Sequence, residues 1–395
     1  METLKIALLD LNRHFGGGTV ALGNLAQALS RKGHEVHLIL GMKNLPSRLV
    51  NTHLNDCHLY HTLGYKDIFD MPRLMCGIRN DLLRLYSVHK FDILNVQGVN
   101  GLFVPSELHN RLIVTLHGNN LARGFALLRC VYKSSDMLQA TRYAFTNYMR
   151  NISGHFMYGN LEKTACKRAK LVIALTSCEA YYAKEYYNLP EEKIRIVPNS
   201  VVLPKDSFNH ELAIPEDKEL ILSVSALEMI KGIPLLVKAA KEILSTRSDV
   251  IYVFVGDGPL RVFIRKLASR FPRRVIMFPQ IHSGLTVLYE RSKMLVHGSF
   301  YEACCLSIAE AMLMGKPVVA LGMASIPELV TNNVTGYLVE SLHAKDLAEK
   351  AINLLDDDKK ARRMGSAAKK KIEELYNPKR IAYKTENVYK EVLAS

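Results

Sequence analysis

The stretch KIALLDLNRHFGGGTVALGNLAQALSRKGHEVHLIL, residues 5–40, decides the predicted fold. Its two ends, 5–11 and 34–40, are short apolar runs typical of buried strands. Between them, three glycines at 16–18 precede a helical pattern that ends at Gly33. A strand, a helix and a second strand in direct succession predict a βαβ unit with parallel strands.

The same alternation continues along the rest of the chain. Further strands, each next to a helical pattern, are predicted at 91–97, 112–118, 171–177, 219–227, 249–258, 274–280, 293–299 and 316–322. Residues 198–217 contain three prolines and little periodicity, which is typical of a linker. We therefore expect two doubly wound α/β domains, at 1–200 and 205–377. The final helix, 378–395, is expected to join the first domain.

The composition excludes several classes of protein. The 395 residues are 48% hydrophobic and 23% charged, as in ordinary globular proteins. The seven cysteines show no CxxC spacing and the fourteen histidines show no metal-ligand spacing, so neither a disulfide framework nor a zinc site is expected. HEVH at 34–37 is one residue too short for a zinc helix motif and is interpreted as the start of a strand.

The net charge of +14 indicates a basic surface. Such a surface favours nucleic acid, anionic lipid or phosphorylated ligands, or is simply solvated. No nucleic-acid recognition motif accompanies it, so no nucleic-acid partner is expected. Neither a signal peptide nor a membrane span is visible, which predicts a cytoplasmic protein. The tyrosine-rich, basic segment 119–170 leaves two interpretations open: a solvated face over a packed core, or peripheral contact with an anionic membrane at its inner face.

The segment SFYEACCLSIAEAMLMGKP, residues 299–317, carries the strongest functional signal. The strand at 293–299 leads into a turn and then a helix from about Leu306, which Gly315 and Pro317 are expected to end. In open α/β sheets, such a helix begins at the carboxyl edge of the strands, where ligands bind. Its unpaired N–H groups attract phosphate.

Two carboxylates, Glu302 and Glu310, flank this helix start. A carboxylate accepts hydrogen bonds from hydroxyl groups, so the pair is not suited to the phosphate itself. Hydroxyls on both sides of a diphosphate are found in a nucleoside diphosphate sugar. The pattern therefore indicates either a nucleotide-sugar site or two surface glutamates.

The segment resembles the signature region of the retaining glycosyltransferases of family 4, and the resemblance covers nearly the whole chain. The other matching motifs are the glycine run before GHEVHLI, LHG at 116–118, VPNSV at 197–201, VGDGPLR at 255–261, and IPELV and TGYLV after AMLMGKPVVA. Their order and spacing together are more specific than any one of them. The resemblance implies the GT-B fold, in which two Rossmann-like domains face each other across a cleft.

The resemblance also implies roles for individual residues. Glu310 would bind the ribose hydroxyls, and Glu302 would bind the transferred sugar and face its reacting carbon. Lys231 would neutralise the diphosphate, and His117 would contact the donor sugar. The donor site would also include Gly16, Gly17, Gly18 and the backbone amides of Cys304, Cys305 and Leu306. Two structural alternatives stay open: a plain turn at 16–18, and a strand-end histidine bonded to backbone at His117.

One departure from the family pattern concerns the phosphate site. The family usually has GRLxxxKG where this chain has SALEMIKG, so Ser225 and Ala226 replace the glycine and the arginine. One cation is therefore missing.

The resemblance implies a retaining glycosyltransferase that uses no metal or other cofactor. It would move a sugar from a UDP- or GDP-sugar, bound by the second domain, to a hydroxyl of a glycan or lipid-linked acceptor, bound by the first. The alternatives are a nucleotide-sugar epimerase of the same fold and a catalytically silent subunit that binds nucleotide sugar or pairs with an active partner.

Overall fold

The structure is a computed structural model that describes residues 3–12, 16–42, 57–64, 70–133, 145–203, 214–215, 217–279 and 284–395. The chain divides into two compact units. Unit 1 comprises Met1–Ala122, Gly154–Val202 and Tyr376–Ser395, and unit 2 comprises Arg123–Ser153 and Leu203–Leu375. Most of the predicted linker at 198–217 lies outside the described residues, as does part of the basic segment 119–170.

Unit 1 contains a seven-stranded parallel sheet with the strand order β3-β2-β1-β4-β5-β6-β7. Its strands are β1 (Lys5–Asp10), β2 (Glu35–Leu40), β3 (His58–His61), β4 (Ile93–Gln97), β5 (Leu112–Leu116), β6 (Leu171–Ala174) and β7 (Ile194–Ile196). The central strands are buried along nearly their whole length, because helices cover both faces of a parallel sheet.

The helices among these strands are α1 (Gly17–Ser30), α2 (Met71–His89), α3 (Asn120–Lys133), α4 (Phe145–Arg168) and α5 (Ser177–Tyr187). Short 3-10 helices lie at Gly98–Phe103, Ser106–Arg111 and Glu191–Lys193. Both α3 and α4 have residues in each unit.

The C-terminal helix α13 (Pro378–Ala394) is part of unit 1. Asn377 caps it by accepting a hydrogen bond from the Arg380 amide at 2.9 Å. Its buried Tyr389 belongs to the same apolar core as Ile6 of β1, and the Tyr389 hydroxyl accepts a 2.8 Å hydrogen bond from Asn95. The helix thus covers one face of the first sheet.

Unit 2 contains a six-stranded parallel sheet with the order β10-β9-β8-β11-β12-β13. Its strands are β8 (Glu219–Val224), β9 (Val250–Val255), β10 (Val275–Phe278), β11 (Ser292–His297), β12 (Val318–Leu321) and β13 (Gly336–Val339). Its helices are a 3-10 turn at Met229–Lys231, α6 (Ile233–Thr246), α7 (Arg261–Arg270), α8 (Leu285–Arg291), α9 (Leu306–Leu313), α10 (Ile326–Leu329), α11 (Ala344–Asp356) and α12 (Asp358–Leu375).

The predicted α/β class with two parallel sheets is confirmed. Most predicted strands extend too far at the C-terminal end: 112–118 and 293–299 include two residues each of the loops that follow β5 and β11, and 171–177, 219–227 and 249–258 include three residues each of the segments that follow β6, β8 and β9. Within the described residues, no helix has the length and apolar character needed to cross a membrane.

Candidate active site

The N-terminus of α9 lies where the sequence places it. The first described helical bond runs from the Ala309 amide to the Cys305 carbonyl at 3.1 Å, and Cys305 is the N-cap without a side-chain cap. The amides of the first turn of an α-helix have no acceptor within the helix. The start of α9 therefore offers N–H groups and the positive end of a helix dipole to an anion.

Glu302 lies in the turn between β11 and α9 and is 9% exposed. Its Oε1 atom accepts hydrogen bonds from Lys231 Nζ at 2.7 Å and from Ser299 Oγ at 2.7 Å. His297 Nε2 lies 3.1 Å from the same oxygen. The main-chain carbonyl of Glu302 accepts a hydrogen bond from Ser325 Oγ at 2.5 Å. Three side chains therefore fix the orientation of this carboxylate, and a fourth holds the main chain of Glu302.

A close approach of two backbone segments brings Lys231 to Glu302. Gly232, which follows the lysine, has a φ of +64°, and a Cβ atom there would lie 2.0 Å from the Gly298 carbonyl oxygen. Only glycine fits this position without displacing the backbone. The Phe300 amide then donates to the Ile230 carbonyl at 3.0 Å, which fixes the register of the two loops.

The charges in this cluster are strongly coupled. Burial raises the pKa of Glu302, but the Lys231 ammonium and His297 outweigh it and hold that pKa well below its usual range. Burial lowers the pKa of His297, but Cys305 and Glu302 outweigh it and raise that pKa to about 9. At neutral pH the Glu302 carboxylate therefore lies between the Lys231 ammonium and a protonated His297.

His297, Glu302 and Cys305 are the only candidate metal ligands that the described part of this site groups together. One ligand atom from each lies within 4.8 Å of the other two, and Cys305 Sγ is 3.4 Å from His297 Nε2. However, the Lys231 ammonium is only 2.7 Å from the same Glu302 oxygen and would repel a divalent cation. The Glu302 carboxylate is therefore expected to bind the Lys231 ammonium and His297 and not a metal ion.

Glu310 lies in the second turn of α9 and is 4% exposed. Its Oε2 atom accepts a hydrogen bond at 2.9 Å from the hydroxyl of Tyr289, a fully buried residue of α8. Glu302 and Glu310 are thus both buried, and the interpretation as two surface glutamates is wrong.

The remaining predicted site residues lie in unit 1. His117 follows β5, is half-buried, and its Nε2 contacts Oε1 of Gln97 at the end of β4. This contact is to a side chain, and the alternative of a strand-end histidine bonded to backbone stays open. A Cβ atom on Gly18 would lie 3.4 Å from the His117 ring, so these two predicted residues are neighbours.

The glycine run differs from the predicted loop. Gly16 is the N-cap of α1 with an extended backbone, while Gly17 and Gly18 already belong to the first turn of the helix. Residues 13–15 lie outside the described part of the chain. Since the first amides of a helix have no acceptor within it, the run still places backbone N–H groups at the carboxyl edge of the sheet.

Two buried carboxylates of unit 1 hold the loop that carries His117. Glu179 Oε2 accepts a hydrogen bond from the Asn119 amide at 2.7 Å, and Glu162 Oε2 accepts one from the Asn120 amide at 3.3 Å. Asn119 in turn caps α3 by accepting from the Ala122 amide at 2.9 Å. The sequence reasoning did not identify these residues, because they come from α4 and α5.

Three further polar residues, which the sequence patterns do not predict, each stand at the end of a strand. Asp10, Gln97 and His297 are the last residues of β1, β4 and β11. Asp10 is buried, which raises its pKa, and it accepts a hydrogen bond from Thr19 of α1 at 2.9 Å. A polar residue at the end of an apolar run is a signal that could have identified all three.

The structure also shows the surroundings of Ala226, which stands where the family usually has an arginine. Ala226 is exposed in the loop after β8. The neighbouring Leu227 amide donates to the Asp257 carbonyl at 2.9 Å, which attaches this loop to the VGDG segment. The guanidinium of Arg261 is 3.4 Å from the Asp257 carboxylate, so Arg261 forms an ion pair within its own segment.

Comparison with protein families gives two matches that together span nearly the whole chain. Residues 15–203 match the family described as Glycosyltransferase Family 4, and residues 204–371 match Glycosyl transferases group 1. Among curated proteins, the chain is 24% identical over 392 residues to the N-acetyl-alpha-D-glucosaminyl L-malate synthase of Bacillus anthracis. That alignment covers 96% of this chain and 94% of that protein.

Solved structures resemble the fold over nearly its full length. Sucrose-phosphate synthase from Thermosynechococcus elongatus superposes with a TM-score of 0.77 at 20% identity, covering 98% of this chain and 99% of that one. Anabaena HepE in complex with UDP and glucose superposes with a TM-score of 0.72 at 18% identity, with the same coverage of 98% and 99%. At such identities the likeness concerns the fold alone.

Proposed function

The chain belongs to the glycosyltransferases of group 1, family 4, and has their GT-B fold; we propose that it is a retaining enzyme acting on a UDP- or GDP-sugar. The acceptor is a hydroxyl group of a glycan or of a lipid-linked molecule. No metal ion takes part in the transfer.

The observation that carries this proposal is the cluster around Glu302. A lysine ammonium, a raised-pKa histidine and the N-terminus of α9 all lie around one buried carboxylate. The ammonium of Lys231 has three N–H donors, of which one is used by Glu302. The other two suit the oxygens of a diphosphate, which is the leaving group of a nucleotide sugar.

In the proposed reaction, the bond between the anomeric carbon and the β-phosphate oxygen breaks as a bond to the acceptor oxygen forms on the same face. The acceptor proton passes to the departing phosphate oxygen, so the products are a glycoside and a nucleoside diphosphate. Lys231 and the first-turn amides of α9 stabilise the charge that develops on the leaving group. Glu302 and Glu310 hold the sugar and ribose hydroxyls, which positions the reacting carbon.

Positive charge from the protein supports the proposal that the transfer needs no metal. Many transferases neutralise a departing diphosphate with a divalent cation. Here Lys231 and His297 supply fixed cations next to Glu302. We expect activity to be the same with EDTA as with added magnesium.

The proposal also assigns roles to residues of unit 1 near the first turn of α1. His117 and Gly18, which are neighbours, would act on the donor sugar, and the rest of unit 1 would bind the acceptor. Asp10 and Gln97 end the neighbouring strands β1 and β4 at the same edge of the sheet. These hydrogen-bonding side chains suit a polyhydroxylated acceptor.

A lipid-linked acceptor would require contact with a membrane surface. On α3, Phe125 is 45% exposed and Leu128 is 41% exposed, and the exposed Arg129 follows them. Apolar and basic groups together favour anionic bilayers. Flotation with phosphatidylglycerol vesicles tests this contact: binding should be lost in the double variant Phe125→Ser/Leu128→Ser and kept in Val262→Ser, a change at a residue that is 59% exposed on α7.

The enzymatic proposal is tested by incubating purified protein with nucleotide sugars, beginning with UDP-N-acetylglucosamine and UDP-glucose because of the named relatives. Release of nucleoside diphosphate should require an acceptor and should proceed in EDTA, and NMR should show a product with the anomeric configuration of the donor. Glu302→Gln should slow release about 10²–10³-fold, whereas Glu340→Gln, at an exposed glutamate, should leave the rate unchanged. Formation of an epimer from the donor alone would contradict the proposal.

A second candidate function is a catalytically silent subunit that binds nucleotide sugar. It is favoured by Ala226, which leaves the loop after β8 without the usual arginine. Binding of donor without turnover against any acceptor, together with turnover in Ala226→Arg, would support it over the first proposal.

A further inference from the structure

A second cluster of titratable side chains lies in unit 1, on β2. Glu35 and His37 are two residues apart on this strand, so their side chains lie on the same face. His37 is fully buried, whereas the Glu35 side chain is 32% exposed. Nε2 of His37 is 2.8 Å from Oε1 of Glu35.

Two further elements bring side chains to this pair. His89, the last residue of α2, has its ring centroid 4.5 Å from that of His37. The Tyr60 hydroxyl of β3 lies 3.0 Å from His89 Nε2 and 3.3 Å from His37 Nδ1. One ligand atom from each of Glu35, His37 and His89 lies within 4.8 Å of the other two.

We propose that Glu35, His37 and His89 bind a divalent transition-metal ion, for which zinc is the appropriate probe. Two imidazoles and one carboxylate form a donor set that zinc, nickel and copper accept, whereas magnesium and calcium prefer oxygen alone. Ligands about 2.0–2.1 Å from a tetrahedral zinc ion are roughly 3.4 Å apart. The three ligand atoms lie within 4.8 Å of one another, so side-chain rotations would be needed to bring them to that spacing.

The surroundings of His37 fit a metal ligand. Its Nδ1 lies near the Tyr60 hydroxyl, which leaves Nε2 directed at Glu35. Metal-bound histidines commonly use their second nitrogen in this way, and the bond fixes the ring orientation. The exposed His58 ring stacks on His37 with centroids 4.8 Å apart, so it lies next to the proposed site.

The cation next to this cluster is Lys5. It repels a metal ion less than Lys231 does at Glu302. Lys5 Nζ is 3.7 Å from Glu35 Oε2, and its side chain is 44% exposed. Such a surface lysine can turn into solvent with little loss of free energy. The buried Lys231 pair has no comparable freedom.

The site is separate from the candidate active site within unit 1. Glu35 is the first residue of β2, whereas Asp10 and Gln97 are the last residues of β1 and β4. In a parallel sheet, the first residues of the strands lie at one end of the strands and the last residues lie at the opposite end. A metal here would connect β2 to the end of α2, so its expected effect is on the stability of unit 1 and not on sugar transfer.

The test uses the full-length, tag-free protein after removal of metals with EDTA and exchange into chelator-free buffer. Calorimetric titration with zinc should show one tight site with a Kd below about 1 μM, and cobalt should give the absorption bands of a four-coordinate ion. Stoichiometric zinc should raise the melting temperature by several degrees, because the metal binds only the folded chain. His89→Gln and Glu35→Gln should each weaken binding at least tenfold and remove the shift.

Two control variants identify the binding residues. His109→Gln alters a half-buried histidine that contacts the Val104 carbonyl and should leave zinc binding unchanged. Cys305→Ser removes a thiol of the other potential ligand group and should also leave it unchanged. Absence of saturable zinc binding, equal affinity in His89→Gln and Glu35→Gln, or loss of binding in Cys305→Ser would overturn the proposal.

Discussion

Nζ of Lys231 lies 2.7 Å from Oε1 of Glu302, and the two side chains are only 23% and 11% exposed. The pair joins the loop after β8 to the turn before α9, which are about seventy residues apart in the chain. A close-packed glycine pair, Gly232 and Gly298, makes this approach feasible. The strongest predictions concern this pair.

Removal of either partner should reduce turnover. We expect Lys231→Met and Glu302→Gln each to lower kcat by about 10²–10³-fold, the usual cost of losing one group that stabilises charge in a transition state. Steady-state kinetics with the best donor provides the measurement. A decrease of less than tenfold in both variants would show that the pair is structural only.

The same pair makes a prediction about stability. Lys231→Met leaves a buried carboxylate without its main counter-charge and should destabilise the fold by a few kcal/mol. The double variant Lys231→Met/Glu302→Gln removes the charge as well and should recover part of that loss, yet remain inactive. Urea unfolding of the unchanged protein, the two single variants Lys231→Met and Glu302→Gln, and the double variant gives the double-mutant cycle. Additive losses in the double variant would contradict the coupling.

Glu310 should act on donor affinity. Glu310→Gln replaces the carboxylate that accepts hydrogen bonds from the ribose hydroxyls with a weaker acceptor. The Kd for UDP or GDP should therefore rise about tenfold while kcat changes little. Tyr289→Phe removes the hydrogen bond to Glu310 Oε2 and should have a smaller effect in the same direction. Calorimetric titration measures both, with Glu340→Gln as the matched control. Unchanged nucleotide affinity in Glu310→Gln would exclude the assigned role.

His297 should give the protein a pH-dependent stability. Its pKa is raised to about 9 in the folded chain from an ordinary value of 6.5. The charged imidazole therefore stabilises the fold fully below pH 6.5, and that contribution is lost as the pH rises through 9. The difference in unfolding free energy between the unchanged protein and His297→Gln should be larger by about 3 kcal/mol at pH 6 than at pH 10. A constant difference across this range would be inconsistent with the raised pKa.

Restoring the missing cation should increase activity. Ala226 is exposed, so Ala226→Arg can be accommodated without repacking. A guanidinium that reaches the diphosphate should raise kcat/KM about tenfold, the effect of one charge-assisted hydrogen bond. Val262→Arg, which adds the same charge on α7, serves as the control. Equal rates for Ala226→Arg and the unchanged protein would show that another group already supplies this charge.

Most of the fold could be predicted from hydrophobic patterns. The strands and helices of both sheets follow from apolar runs separated by helical periods, and α9 begins at the predicted Leu306. The strands β3, β7 and β13 were missed; each has three or four residues and lies at the edge of its sheet. The strands β3 and β7 are partly exposed, and all three strands are short, so they lack the long apolar run that identifies a central strand.

The site could be predicted only in part, because spacing shows local neighbours and not side chains that meet in three dimensions. Motifs predict Glu302, Glu310 and Lys231, but no motif predicts that His297, at the end of a strand, contacts Glu302. The cluster of Glu35, His37 and His89 shows the same limit, since α2 and β2 are far apart in the sequence. The sequence predicted no histidine cluster of this kind.

The central claim is that Glu302 and Glu310 bind the two hydroxyl-bearing ends of a nucleotide sugar across the N-terminus of α9. A crystal structure with an unhydrolysed UDP- or GDP-sugar tests it most directly. The predicted result places the diphosphate against Lys231 and the first-turn amides, the ribose hydroxyls on Glu310 and the sugar hydroxyls on Glu302. A nucleotide sugar bound elsewhere, or one that contacts neither carboxylate, would contradict the claim.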